Sequence, residues 1–194
     1  MIDIFLKAKH WQLFIGIFGI PFFFQFFTLF SMFMQTQTES NANTENFIDI
    51  FQFFPIIMLV FVGVFFGWFW SIAIGLQKNI PKEIKMKVNK FKVLFFIPLI
   101  YIFLIITYIS VIFYGMGVNG FSNSGWIVAI IIPLHLFSMF CIFYSMYFVA
   151  KTIKTAELQR KVGFGDFAGE FFLLWFYFIG IWIIQPKVNK LYGK

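Results

Sequence analysis

Charged residues are scarce in this chain of 194 residues and are missing from its longest segments. Only 12% of the residues are charged and 61% are hydrophobic, whereas soluble domains are about a quarter charged and about half apolar. No lysine or arginine occurs between Trp11 and Gln77, or between Val93 and Ala150. Because so few polar side chains cannot cover a water-soluble globule, we interpret the chain as an integral membrane protein.

Other residue types that are rare or absent exclude further classes of protein. The single cysteine, Cys141, excludes an intramolecular disulfide. All four predicted membrane helices lack Asp, Glu, Lys and Arg, which disfavours an ion-coupled pump. The basic residues gather in loops and at the ends instead of covering a folded surface, so no nucleic-acid partner is expected. One arginine beside 14 lysines and 34 phenylalanines indicates an AT-rich genome, and hence a bacterium.

The apolar runs predict an all-α membrane protein with one integral membrane domain over residues 1–194. The predicted bundle has four transmembrane helices, at about 11–34, 50–76, 93–114 and 126–150. A fifth apolar segment, 167–185, follows them, and its continuous apolar core is short for a span. Two alternatives remain for it: a re-entrant or interfacial segment that breaks near Gly180, or a fifth span.

The distribution of lysines predicts the orientation in the membrane. The loop between predicted helices two and three contains Lys78, Lys82, Lys85, Lys87, Lys90 and Lys92. By the positive-inside rule this basic loop is cytoplasmic, and so is the N-terminus. The loop from Gln35 to Asn46 has two glutamates and no basic residue, so it is expected outside. Lysines at the membrane boundary also predict contact with anionic lipid headgroups.

Small residues recur at every fourth position in predicted helix two, at Gly63, Gly67, Ser71 and Gly75. This spacing places them on one face of the helix. Small residues allow membrane helices to approach closely, so this face is predicted to be a helix-packing seam. Its expected partner is helix four or helix one.

A mildly polar stripe on predicted helix one consists of Gln25, Thr28 and Ser31, at three-residue steps. His135, the one histidine within a predicted span, is grouped with it. The stripe and His135 are interpreted either as interhelical hydrogen-bonding groups or as a polar path for a ligand or ion. Cys141 lies six residues from His135, on another helix face, so no catalytic site, metal site or cofactor is expected.

The stretch GFGDFAGE contains Gly163, Gly165 and Gly169 and is predicted to be a hinge after helix four. A phosphate site on its backbone N–H groups is disfavoured, because Asp166 and Glu170 would repel an anion. The two carboxylates are alternatively expected to face a partner protein or the basic loop.

Two stretches, KAKHWQLFIGIFGIPF near the start and GDFAGEFFLLWFYFIGIWIIQPKVNKLY near the end, resemble small multi-pass membrane proteins of Bacteroidetes bacteria. The resemblance implies a bacterial inner membrane and implies no activity, so no functional residue is carried over from it.

These features together predict a non-catalytic accessory, assembly or regulatory subunit of an envelope complex. Its partners would be the lipid bilayer and another membrane protein or a second copy of itself. The alternative is a small channel or permease that acts as a homo-oligomer and is lined by the polar stripe.

Overall fold

A computed structural model describes residues 2–38, 54–119 and 126–193, and this part of the chain is helical apart from short connections, without a strand. The α-helices are α1 (Ile2–Lys7), α2 (His10–Phe14), α3 (Ile20–Thr38), α4 (Phe54–Gly75), α5 (Val88–Asn119), α6 (Trp126–Leu158), α7 (Phe164–Trp175) and α8 (Tyr177–Tyr192). A π-helical turn, Ile15–Gly19, joins α2 to α3, and a 3₁₀ turn, Leu76–Asn79, follows α4.

Four stretches of the described chain are long and apolar enough to cross a membrane. They are His10–Ser31, Pro55–Asn79, Val88–Ile112 and Ala129–Leu158. The prediction of an all-helical chain with four such helices is therefore confirmed, and the composition of these helices is consistent with a membrane protein.

The helical stretch His10–Ser31 contains a wider, π-helical turn just before Pro21, where proline interrupts the backbone hydrogen bonding. Pro21 has no N–H to donate to the carbonyl of Ile17, and its ring crowds that carbonyl. One turn earlier the backbone is π-helical, and the N–H of Ile20 donates to the carbonyl of Ile15. Such π turns are a common source of helix bends.

The observed helices are longer than several of the predicted ones. α5 begins at Val88, inside the predicted basic loop, and continues to Asn119 instead of ending at 114. α6 extends eight residues beyond Ala150, to Leu158. α3 is helical to Thr38, so the predicted external loop begins later than Gln35. The rest of that loop, the predicted start of helix two and residues 120–125 lie outside the described residues.

The C-terminal apolar segment, predicted at 167–185, consists of two helices. α7 and α8 meet at Phe176, whose φ of −89° and ψ of 56° end the first helix. The chain then folds back, so that a Cβ added at Gly180 would overlap the backbone carbonyl of Leu173. The reversal therefore lies at Phe176, and Gly180 permits the close approach of the two helices.

The core lies where the short helices surround one end of the long ones. α1 packs against α4, and α8 packs against α1 and α2, while α6 contacts both α5 and α7. The largest fully buried side chains include Trp68 and Phe69 of α4, Phe91 of α5 and Phe167 of α7. Away from this end the long helices expose apolar side chains, such as Phe23 of α3, which is 71% exposed.

Candidate anion-binding groove

Five lysines from two separate segments line one groove beside the core. Lys85, Lys87 and Lys90 come from the basic loop and the first turn of α5, and Lys151 and Lys161 come from α6 and the connection after it. The groove has two adjoining compartments of about 380 and 300 Å³, and Lys85, Lys151 and Lys161 line both. We call this feature the lysine groove.

The inner wall of the lysine groove is aromatic. Tyr144, Tyr147 and Phe148 of α6 line the larger compartment. The ammonium of Lys90 lies 5.2 Å from the centroid of the Tyr144 ring, and that of Lys151 lies 5.9 Å from the centroid of Tyr147. Cations at this distance are attracted to the negative face of an aromatic ring, so the rings hold these lysines at the wall without neutralising them.

The positive charge of the lysine groove has little local compensation. Ion pairs in the described part of the chain involve Lys154, Arg160 and Lys187, and none of the five groove lysines forms one. Glu83 is the one carboxylate that lines either compartment. Several ammonium groups around one cavity create a potential that favours an anion.

Only some lysines of the predicted basic loop belong to the lysine groove. Lys85, Lys87 and Lys90 line it, and the other three lie elsewhere. Lys78 lies over the ring of Tyr192, 3.8 Å from its centroid, at the end of α8. Lys82 and Lys92 are exposed and line neither compartment. Sequence reasoning missed Lys151 and Lys161 as parts of the same site. For Lys151 the available signal was its position directly after the apolar run of α6, whereas Lys161 follows only after the end of that helix.

Next to the groove, four charged side chains form a closed cluster that connects α6, α7 and α8. Nζ of Lys187 lies 2.8 Å from Glu157 and 2.7 Å from Glu170. Nζ of Lys154 lies 2.9 Å from Glu157 and 3.2 Å from Glu170. Two cations and two carboxylates thus satisfy one another. We call this the charge clamp, because it fixes the position of α8 beside α7.

The charge clamp also sets the ionisation of Glu170, whose side chain is almost completely buried. Burial alone would raise the pKa of this carboxyl, but the hydrogen bond from Lys187, together with Lys154, outweighs it and the pKa is lowered. Asp166, the other carboxylate of this stretch, has its partners close by in the sequence. It accepts hydrogen bonds from the backbone N–H of Gly163 and from Arg160, which hold its pKa low.

Of the three glycines predicted to form a hinge, Gly163 lies in the connection between α6 and α7, and the other two lie in α7. Gly163 caps α7 in an extended conformation, and Gly165 and Gly169 lie inside α7 with open space beside them. The turn is made by Gln159, whose φ of 53° is left-handed. Its side-chain amide donates to the carbonyl of Asn79, which secures this unusual conformation.

The predicted packing seam contacts α1, not helix four or helix one. A Cβ added at Gly67 would lie 2.7 Å from Cζ of Phe5, and one added at Gly75 would overlap Leu6. Ser71 between them is buried. At Gly63 there is open space, because α1 is too short to reach that turn. The part of the seam in contact with α1 therefore runs from Gly67 to Gly75.

The residues of the predicted polar path have separate surroundings in the described part of the chain. The hydroxyl of Thr28 is buried and donates to the carbonyl of Phe24 in its own helix, at 2.9 Å. His135 is exposed and pairs with the hydroxyl of Tyr101 on α5, 3.2 Å from Nδ1. Gln25 is exposed and Ser31 is half-buried. No hydrogen bond among the described residues joins the stripe to His135.

In the part of the chain that the structure describes, no three side chains of His, Cys, Asp or Glu come together as a set of metal ligands. The arrangement with the clearest chemistry is the lysine groove, which presents unpaired ammonium groups to an anion. Comparison of the chain with protein-family models, with curated proteins and with solved structures finds no match.

Proposed function

We propose that this chain is a multi-pass protein of the bacterial inner membrane, and that it serves as a non-catalytic accessory, assembly or regulatory subunit of an envelope complex. Four long apolar helices support residence in a membrane. The ion pairs among Lys154, Glu170 and Lys187 support the rest, because these partly buried charges connect α6 with α7 and α8 and are paired with one another.

One observation carries the subunit role: the exposure of Gln25 in the second turn of α3. Its amide is exposed and forms no hydrogen bond to the described residues. An amide that faces hydrocarbon without a partner is costly, and in membranes such groups hydrogen-bond across helices. Phe22 and Leu29, three and four positions away on the same face of α3, are also exposed. We infer that a helix of another membrane protein covers this face.

The proposed orientation places the N-terminus and the lysine groove in the cytoplasm and the loop around residues 39–46 outside. The lysine distribution supports this assignment. The α7–α8 hairpin is proposed to enter the membrane from the cytoplasmic side and to return, as a re-entrant or interfacial element. Its broken backbone at Phe176 would be protected by packing against the bundle.

Site-specific photo-crosslinking tests the subunit role directly. A photoreactive residue at Gln25 is expected to give a single heteromeric adduct in cells. The same residue at Phe23, two positions away and therefore on the opposite side of α3, serves as the matched control. Gln25→Leu should reduce co-purification of the captured protein in mild detergent, whereas Phe23→Leu should not.

The alternative function, a homo-oligomeric channel or permease, has a distinct outcome in this experiment. Crosslinks at Gln25 between identical chains, together with a ring of copies in mild detergent, would replace the subunit role with a pore lined by α3. The burial of Thr28 within the chain weighs against such a pore, because its hydroxyl already bonds to its own helix. A purified monomer without any adduct would contradict both functions.

A further inference from the structure

The lysine groove holds more positive charge than the chain itself neutralises. Its five lysines face one carboxylate, Glu83, and none of the five is ion-paired in the described residues. Lysines near the surface of an anionic bilayer each contribute about 1 kcal/mol of attraction, and basic pockets between membrane helices bind lipids that carry several phosphates. We propose that the lysine groove binds the paired phosphates of an anionic lipid headgroup.

The shape of the groove fits a ligand with two phosphates. The two compartments adjoin, and Lys85, Lys151 and Lys161 line both, so one molecule can occupy both at once. Lys87 and Lys90 add charge to the larger compartment only, and Glu83 lies in the smaller one. Five ammonium groups against the one carboxylate of Glu83 exceed the charge of a single phosphodiester, so a second phosphate would compensate more of the positive charge.

The surroundings of the groove favour a lipid over a free phosphate compound. The aromatic wall lies on α6, and the preceding turns of that helix expose Phe137 and Phe140. Tyrosine is common at the boundary between headgroups and hydrocarbon, where its ring and hydroxyl face different environments. Acyl chains of a lipid held at the groove would continue along this apolar surface, an inference that rests on the proposed membrane residence.

The test measures lipid selectivity of the full-length protein after reconstitution in phosphatidylcholine bilayers that contain a small fraction of cardiolipin or of phosphatidylglycerol. Native mass spectrometry of the released protein is expected to show one retained cardiolipin. The paired substitution Lys151→Gln and Lys161→Gln should weaken its binding about thirtyfold. Raised salt should weaken binding to the unsubstituted groove as well.

The matched control is the pair Lys82→Gln and Lys92→Gln, which removes the same charge from the same region but lies outside the groove. It should weaken cardiolipin binding less than about threefold. If Lys151→Gln and Lys161→Gln prevent folding, Lys85→Gln with Lys87→Gln replaces them, since both side chains are exposed. Equal weakening by groove and control pairs would show diffuse attraction and overturn the proposal.

Two further arms separate the possible sources of phosphate. Phosphatidylglycerol, with one phosphate, should be retained weakly, and equal retention would overturn the two-phosphate assignment. Soluble pyrophosphate should displace cardiolipin only at high concentration, and displacement at low concentration would assign the groove to a soluble compound. Failure of the unsubstituted protein to enter bilayers would instead contradict the proposed membrane residence, so the two failures are distinguishable.

Discussion

The indole N–H of Trp68 donates to the side-chain carbonyl oxygen of Gln185 across 2.8 Å, although the two residues are 117 positions apart. Both side chains are completely buried. The amide nitrogen of Gln185 donates in turn to the backbone carbonyls of Phe5 and Ala8, at 2.9 Å each. The side-chain amide of Gln185 therefore connects the N-terminal segment, α4 and α8. It also provides hydrogen-bond partners for polar groups that would otherwise lack them in the apolar core.

Gln185→Leu should destabilise the fold by about 2–5 kcal/mol, because it leaves the buried indole N–H of Trp68 without a partner and removes the hydrogen bonds to the carbonyls of Phe5 and Ala8. The Ala8 carbonyl keeps one partner, the side-chain amide of Asn189. The measurement is denaturant unfolding in detergent, followed by tryptophan fluorescence. Gln12→Leu is the control, since Gln12 is exposed and makes one local hydrogen bond with the N–H of Lys9. Similar loss of stability in both variants would show that the buried network has no special role.

Gly180→Ala should open the α7–α8 hairpin, because the added methyl group overlaps the carbonyl of Leu173, which is backbone and cannot rotate away. Gly169→Ala offers a matched control in α7, where the same methyl group meets open space. Alanine is favoured over glycine inside a helix by about 1 kcal/mol, so this control should be neutral or stabilising. Thermal unfolding of both variants in detergent distinguishes them, and an unchanged melting temperature for Gly180→Ala would contradict the close approach.

Gly67→Leu should displace α1 from α4, because its side chain would occupy the place of the Phe5 ring. Gly63→Leu adds the same bulk one turn away, in open space, and should be tolerated. Protease accessibility at Lys7 reports the release of α1. Equal cleavage of the two variants would mean that this face of α4 does not hold the N-terminal helix.

The charge clamp should weaken in acid. Since Lys187 lowers the folded-state pKa of Glu170 below its ordinary value of 4.5, the ionised carboxylate stabilises the fold at neutral pH. This stabilisation is lost as the pH falls from the ordinary pKa of the carboxyl through its lowered folded-state pKa, because the carboxyl then becomes protonated. Stability of the hairpin, followed by hydrogen exchange in α7 and α8, should therefore decrease at low pH. Glu170→Gln should be less stable at neutral pH and should show a smaller acid effect, and an unchanged acid effect would exclude Glu170 as its source.

The sequence predicted the long helices because their apolar runs are local features. It also located the basic loop, but the lysine groove depends on tertiary structure. Lys161 reaches the groove only because Gln159 adopts a left-handed conformation, and nothing in a glutamine codes for that turn. The nearby glycines were the predicted hinge, and in the structure Gly163 caps α7 while Gly165 and Gly169 lie inside this helix.

Gln185 shows a second limit of sequence reasoning. It lies beside Pro186 and Lys187, and this polar stretch is typical of an exposed tail. Its burial follows from the reversal at Phe176, a position without glycine or proline, so no local pattern indicated where the chain turns. The exposure of Gln25 was visible only in the structure, where no described helix covers that face of α3.

The location of the C-terminus tests the membrane arrangement most directly. The hydroxyl of Tyr192 donates to Asp3, and the ring of Tyr192 lies under Lys78, so both termini and the basic loop meet at one end of the molecule. With that end in the cytoplasm, a green fluorescent protein fused after Lys194 should fluoresce, and alkaline phosphatase fused there should be inactive. Phosphatase inserted after Asn41 should be active and serves as the control for export. Active phosphatase after Lys194 would contradict the returning hairpin or reverse the orientation of the whole chain.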